Sequence, residues 1–296
     1  MKILIKKKNA TMTSPCLIFF TPEGQTSPQL LAQLDEHLGK LVTTAQRNNE
    51  FRGRHAETLL LHGPDTRGPG RILLVGIGKA SDASVDKLRQ AASSAVVVLK
   101  QKKISKAALS LSDLPIQKTT AEQQAQAIVE GILLANYQYQ RYQSPTPDTA
   151  KPLEQIVLLA ANAKSLPLLQ RGAARAEAIC AGVHLARDLV NAPGNLKSPE
   201  FLAMQAVAMA EKNGIKAHLL DQVRLQQLGC GALLGVAQGS TRPPYLIVLE
   251  YAGDPKGSAP LALVGKGVTF DTGGISLKPA DKMDEMKMDM GGAATV

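Results

Sequence analysis

Residues 71–99 read RILLVGIGKASDASVDKLRQAASSAVVVL, and this stretch decides the fold class. It opens with a short apolar run, RILLVGIG, that predicts a strand, and from Ser84 to Leu99 apolar residues return at helical spacing. The same alternation extends outward on both sides. CLIFF at Cys16, KAALSL at Lys106 and QIVLLA at Gln155 are further strand candidates, while Pro28 to Arg47 and Ala121 to Tyr142 carry helical periodicity. Alternating strands and helices imply α/β layering, here a mixed sheet with helices on both faces.

The turn VGIGKAS within this stretch invites a dinucleotide-binding reading, but Ser81 stands where G-x-G-x-x-G needs its third glycine, and no G-K-[ST] follows. It reads as a tight strand-to-helix turn. Further along, QSPTPDTAKP from Gln143 looks like a linker, yet QIVLLA still belongs with the first sheet, so the domain boundary is expected near residue 165. That gives an N-terminal α/β domain, 1–165, and a second α/β domain, 166–296. A long connecting helix is predicted from Leu168 to Val190, stopped by NAPGN. Beyond it come a helix from Pro199, strand IKAHLL, a short helix from Asp221, and strands YLIVLEY and LALVG. The closing GGAATV begins a helix-forming run with no Gly, Asn or Pro to end it, so the second domain is expected to be incomplete at its C-terminus.

Composition excludes several classes. Hydrophobic residues make up 44% of the 296 and charged residues 20%, and no apolar run approaches the ~20 residues that span a bilayer. MKILIKKKNA lacks the apolar core and cleavage site of a secretory signal, so a cytoplasmic address with no membrane partner is expected. Cys16, Cys180 and Cys230 form neither a disulfide framework nor a cysteine zinc site and are expected to be free thiols. The net charge of +9 raises nucleic-acid binding, but aromatics are only 3% and Trp is absent, which leaves few stacking platforms. The five histidines show no H-x-x-x-H pairing and no G-x-S-x-G elbow occurs, so histidine-zinc and serine-hydrolase chemistry lose support.

The stretch from Leu263, LVGKGVTFDTGGISLKPADKMDEMKMDMGGAATV, sets Lys266, Lys278 and several carboxylates among glycines. In open α/β sheets ligands sit beyond the carboxyl ends of strands, and Lys266 and Asp271 directly follow one such expected end. A carboxylate can bridge two divalent ions, and a lysine in its neutral form can coordinate one. Ligation therefore calls for a depressed pKa at Lys266.

In residue type and spacing, VGKGVTFDTGGISLKP followed by MDEMKMDMGGAATV resembles the active-site signature of the leucine aminopeptidase family. Lys266 to Asp271 is five residues, Asp271 to Lys278 seven, and Lys278 to Asp289 eleven. LARDLVNAPGN, LGCGALLGVAQGS and RPPYLIVLEY are also similar to that family's catalytic domain, so the likeness is strong over about residues 180 to 296. The resemblance implies a metal-dependent aminopeptidase that releases N-terminal residues, leucine preferred, from peptide substrates. Lys266, Asp271 and Asp289 then match metal ligands for two divalent ions, manganese or zinc, with Asp271 bridging. Lys278 matches the catalytic lysine that stabilises the developing gem-diolate. Met286 matches a residue lining the pocket for the first side chain. Asp281, Asp284 and Glu285 match no ligand position and are expected to serve helix-start electrostatics or solvation.

The same resemblance implies a homohexamer and, in the full-length enzyme, a bicarbonate held by an arginine of a second cluster, N-T-D-A-E-G-R. That cluster is absent from these 296 residues, so the chain alone is expected to bind one metal weakly and to hydrolyse nothing efficiently. The rival expectation is a non-catalytic binding protein, either a DNA binder or a pseudoenzyme scaffold.

Overall fold

The computed structural model describes residues 1–7, 14–24, 31, 32, 35, 36, 39–63, 70–111, 119–144, 146, 149, 151–254 and 259–296. The chain divides into two units, Met1–Ala181 and Gly182–Val296.

In the first unit, strands β1 (Lys2–Lys7), β2 (Leu17–Pro22), β3 (Thr58–His62), β4 (Arg71–Gly78), β5 (Lys106–Ser110) and β6 (Gln155–Ala160) make one sheet in the order β1-β6-β5-β2-β4-β3. Every pairing is parallel except β3 with β4, so the sheet is mixed, as expected. Helices α1 (Leu41–Arg47), α2 (Val85–Gln101) and α3 (Ala121–Asn136) cover it. Because side chains alternate along a strand, β4 sends Leu73, Val75 and Ile77 toward Leu88, Ala92 and Leu99 of α2 and Ile128 of α3. Its Ile72 and Leu74 face the other way, into a cluster with Phe19, Phe51 and Val42 of α1. Burial on both faces is why RILLVGIG is apolar throughout rather than alternating.

Local chemistry sets the helix ends. The Ser84 hydroxyl accepts from Lys87 N at the start of α2, and Thr120 with Gln123 forms a capping box on α3. Helix α1 is capped from a distance, for the Asp35 carboxylate accepts from Val42 N at 2.7 Å and Thr43 N at 3.0 Å. Much of the helix expected from Pro28, and four residues of the expected linker, lie outside the described residues. Helix α3 stops at Asn136 rather than Tyr142, because the Asn136 amide clips the chain leading into β6, donating to Leu153 O and accepting from Leu153 N. Strands β1 and β3 were not anticipated. In β1 the lysines mask the apolar Ile3, Leu4 and Ile5, and such charge is what an edge strand carries against unwanted pairing.

Helix α4 (Leu166–Asn191) is the long connecting helix. Beyond it lie α5 (Pro199–Asn213), β7 (Lys216–Leu220), α6 (Gln222–Gln227), α7 (Gly231–Ala237), β8 (Leu246–Glu250), a 3-10 turn over Met283–Met288, and α8 (Gly291–Thr295). Strands β7 and β8 pair antiparallel. The strand expected at LALVG does not form, and Leu261 and Val264 are 85% and 94% exposed. An apolar run becomes a strand only where another strand offers hydrogen bonds, and β8 pairs with β7 alone among the described residues. No disulfide joins the described cysteines; Cys16 and Cys180 are buried and Cys230 is half-buried. No helix among the described residues is long and apolar enough to cross a membrane.

Candidate functional site

The segment from Gly265 to Lys282 folds by local hydrogen bonds rather than by regular structure, and the 3-10 turn over Met283–Met288 follows it. Lys278 N donates to Thr272 O at 2.9 Å, closing a loop around residues 273–277. Gly273 makes that closure possible. Its φ is +93°, and a Cβ there would sit 2.3 Å from Ser276 O and 3.0 Å from Lys278 N. Farther on, Ala293 N donates to Lys266 O at 2.8 Å, which ties the Lys266 segment to α8.

These turns gather the anticipated side chains into two charge pairs. Lys266 Nζ lies 2.8 Å from Asp289 Oδ1, and Lys278 Nζ lies 2.8 Å from Asp271 Oδ2. Lys278 also donates to the Asp271 carbonyl and to Met286 Sδ, each at 3.3 Å. The remaining Asp271 oxygen accepts from Gly273 N at 2.8 Å. The hydrogen bond from Lys278, with that from Gly273 and the fields of Lys278 and Lys266, holds the Asp271 carboxyl below its ordinary pKa. Asp284 and Glu285 stand in the first turn of the 3-10 turn, the helix-start position expected of them.

Lys266 stands in the field of both carboxylates. Its amine is pushed up, chiefly by the hydrogen bond to Asp289 and further by the fields of Asp289 and Asp271. A divalent ion held by these carboxylates would push the amine the opposite way, toward its ligating form.

The donor set fits a divalent ion. Asp271, Asp289 and the amine of Lys266 make a hard, oxygen-rich set with one nitrogen. Asp289 Oδ2 is buried and has no hydrogen-bond partner among the described residues, an arrangement that ordinarily has a physical explanation such as an ion. Among the described residues no cluster of three or more His, Cys, Asp or Glu side chains that could hold a metal gathers anywhere, and this site offers two carboxylates and a lysine instead.

Comparison with known proteins bears on the family and the fold. Residues 17–146 match the cytosol aminopeptidase family, N-terminal domain, and residues 184–296 match the catalytic domain of that family. The probable cytosol aminopeptidase of Syntrophotalea carbinolica is 44% identical over 287 residues, covering 97% of this chain and 58% of that protein. The cytosol aminopeptidase of Pseudomonas aeruginosa is 39% identical over 298 residues, covering 100% of this chain and 60% of that protein. Among solved structures, a mutant of tomato leucine aminopeptidase superposes with a TM-score of 0.82 at 30% identity, covering 99% of this chain and 57% of that one. The bottromycin maturation enzyme BotP in complex with Mn gives 0.73 at 28% identity, covering 95% and 54%. The chain thus spans 58% to 60% of the length of these curated relatives.

Proposed function

We propose that this chain, which belongs to the cytosol aminopeptidase family, carries the first half of the active site of a metal-dependent aminopeptidase that releases N-terminal residues, leucine preferred, from peptides. The observation that carries this reading is the meeting of Lys266, Asp271, Lys278 and Asp289 in two 2.8 Å charge pairs beside a buried, unbonded carboxylate oxygen.

Lys266, Asp271 and Asp289 would hold the metal, with Asp271 shared between two ions in the longer protein. The Mn named for BotP favours manganese, and zinc is the other candidate. Bound there, divalent ions supply Lewis acidity toward a water and toward the scissile carbonyl. Lys278 offers N–H donors to the oxygen on which negative charge would develop. Its aim is set by the Asp271 carbonyl and by Met286 Sδ, and Met286 also lines the pocket for the first side chain, where a thioether suits leucine-like groups. A second acidic cluster, with an arginine that positions bicarbonate, completes the site in the longer protein. We further propose domains at 1–165 and 166–296, a cytoplasmic setting, which the relatives' names support, and a homohexamer of the longer protein.

The test is a Mn2+ titration of the 296-residue chain, followed by the electron paramagnetic resonance of free Mn2+. One weak site is expected, and Asp289→Asn and Lys266→Met should each weaken it about tenfold or more. Equal affinity in all three proteins overturns the assignment. The chain alone should release little p-nitroaniline from leucine p-nitroanilide, and turnover matching a longer relative would show that the second cluster is dispensable.

A further inference from the structure

Lys197 is completely buried. Its ammonium donates to the Leu189 carbonyl at 2.7 Å and to the Lys287 carbonyl, and among the described residues no carboxylate pairs with it. Burying a lysine without a counter-charge is costly, and such a residue persists where its geometry is needed. Both acceptors explain why this place tolerates it. Leu189 lies in the last turn of α4, where carbonyls have no partner within the helix and the helix dipole favours a cation. Lys287 lies in the 3-10 turn, directly after Met286 and two residues before Asp289.

We propose that Lys197 is the positioning residue of the site: by bridging Leu189 on α4 to Lys287, it fixes the turn that presents Met286 and Asp289. The turn transmits this restraint because Asp289 N donates to Met286 O at 3.2 Å. Among the described residues Lys197 hydrogen-bonds to the Leu189 and Lys287 carbonyls, and so acts through the backbone. This role in metal holding rests on the reading given under Proposed function, whereas the tether itself does not.

Lys197→Met separates the two. Methionine has similar length and accepts full burial, so the fold is kept while both hydrogen bonds are lost. Hydrogen–deuterium exchange on the 296-residue chain is expected to quicken about tenfold or more at 283–290 and to stay unchanged at 199–213. No change at 283–290 overturns the proposal, and so does a rise spread evenly over 182–296. If K197M unfolds outright, Lys197→Arg decides, since it keeps the donors: protection of 283–290 as in the unaltered chain supports the tether, and its loss overturns it. In the Mn2+ titration K197M is expected to weaken binding about tenfold. Binding unaltered in K197M but lost in Asp289→Asn sinks the positioning role alone. Binding unaltered in Asp289→Asn sinks the metal reading and leaves exchange to judge the tether.

Discussion

Lys278 Nζ holds Asp271 twice, at 2.8 Å through carboxylate oxygen Oδ2 and at 3.3 Å through its backbone carbonyl. The bond to the carboxylate, followed by that from Gly273 N and more than any field effect, keeps the Asp271 carboxyl below its ordinary pKa. A carboxyl depressed in the folded state favours folding above its unfolded pKa, and that favour is lost as pH falls through the folded value. Lys278→Met should therefore raise the Asp271 midpoint toward the usual carboxylate range, read by carboxyl carbon NMR titration. An unmoved midpoint would mean that Gly273 N alone, at 2.8 Å, does the work.

Lys266 leads to a second pH prediction of opposite kind. Asp289 and Asp271 push its amine up, yet only the neutral amine can ligate, so metal uptake must expel a proton. Mn2+ affinity should rise with pH through the neutral range, and calorimetry in buffers of different ionisation enthalpy should register proton release. Lys266→Met should remove the release. A pH-independent affinity with no protons liberated would take Lys266 out of the ligand set.

The sequence displayed the site better than it displayed the strands. Lys266, Asp271, Lys278 and Asp289 lie within one short stretch whose glycines and charges are legible in order, and their pairing needs only local turns. Strand β4 was legible because burial on both faces makes RILLVGIG apolar throughout. Strand β1 was hidden by its lysines, and LALVG misled because apolar character alone does not make a strand. Lys197 and Asp35 gave no signal at all. What matters in each is a backbone partner, Lys287 for the one and Val42 for the other, and their separation follows no helical or strand period.

The loop that carries Lys278 depends on one backbone angle. Gly273→Ala puts a Cβ at φ +93° and 2.3 Å from Ser276 O, a strain of about 1–3 kcal/mol if the loop keeps its shape. The cheaper escape is for the loop to open, which breaks the Lys278 N to Thr272 O bond and draws Nζ away from Asp271. Denaturant unfolding should show the loss, and the Asp271 midpoint should rise as it does in Lys278→Met. Unchanged stability with an unchanged midpoint would show that the loop absorbs a side chain without cost.

Asp35 is a test confined to the first unit. Its buried carboxylate takes Val42 N, Thr43 N and the Thr43 hydroxyl, at 2.7, 3.0 and 2.5 Å. Lys40, at the cap position itself, offers no side-chain bond. Asp35→Ala orphans two amides of α1, and the expected cost is about 1–3 kcal/mol. Mn2+ binding, which depends on residues 266–289, should not change. A loss of metal affinity with Asp35→Ala would mean that the two units are energetically coupled.

Lys197 sets the pH dependence of the second unit's stability. Burial, with the neighbouring charge of Lys287, lowers its pKa to about 8, against about 10.4 for a lysine in the unfolded chain. Between those values the unfolded state binds the more protons, so stability should climb as pH rises from about 8 to about 10.4. Below that window both states are charged and the whole desolvation cost is carried. Lys197→Met removes the group that titrates, so its stability at neutral pH should equal or exceed that of the unaltered chain, and the climb should flatten. Following urea unfolding of the second unit across this range checks both signs at once. A climb that survives in K197M belongs to another lysine, whereas a flat profile in the unaltered chain would mean that water reaches the Lys197 ammonium.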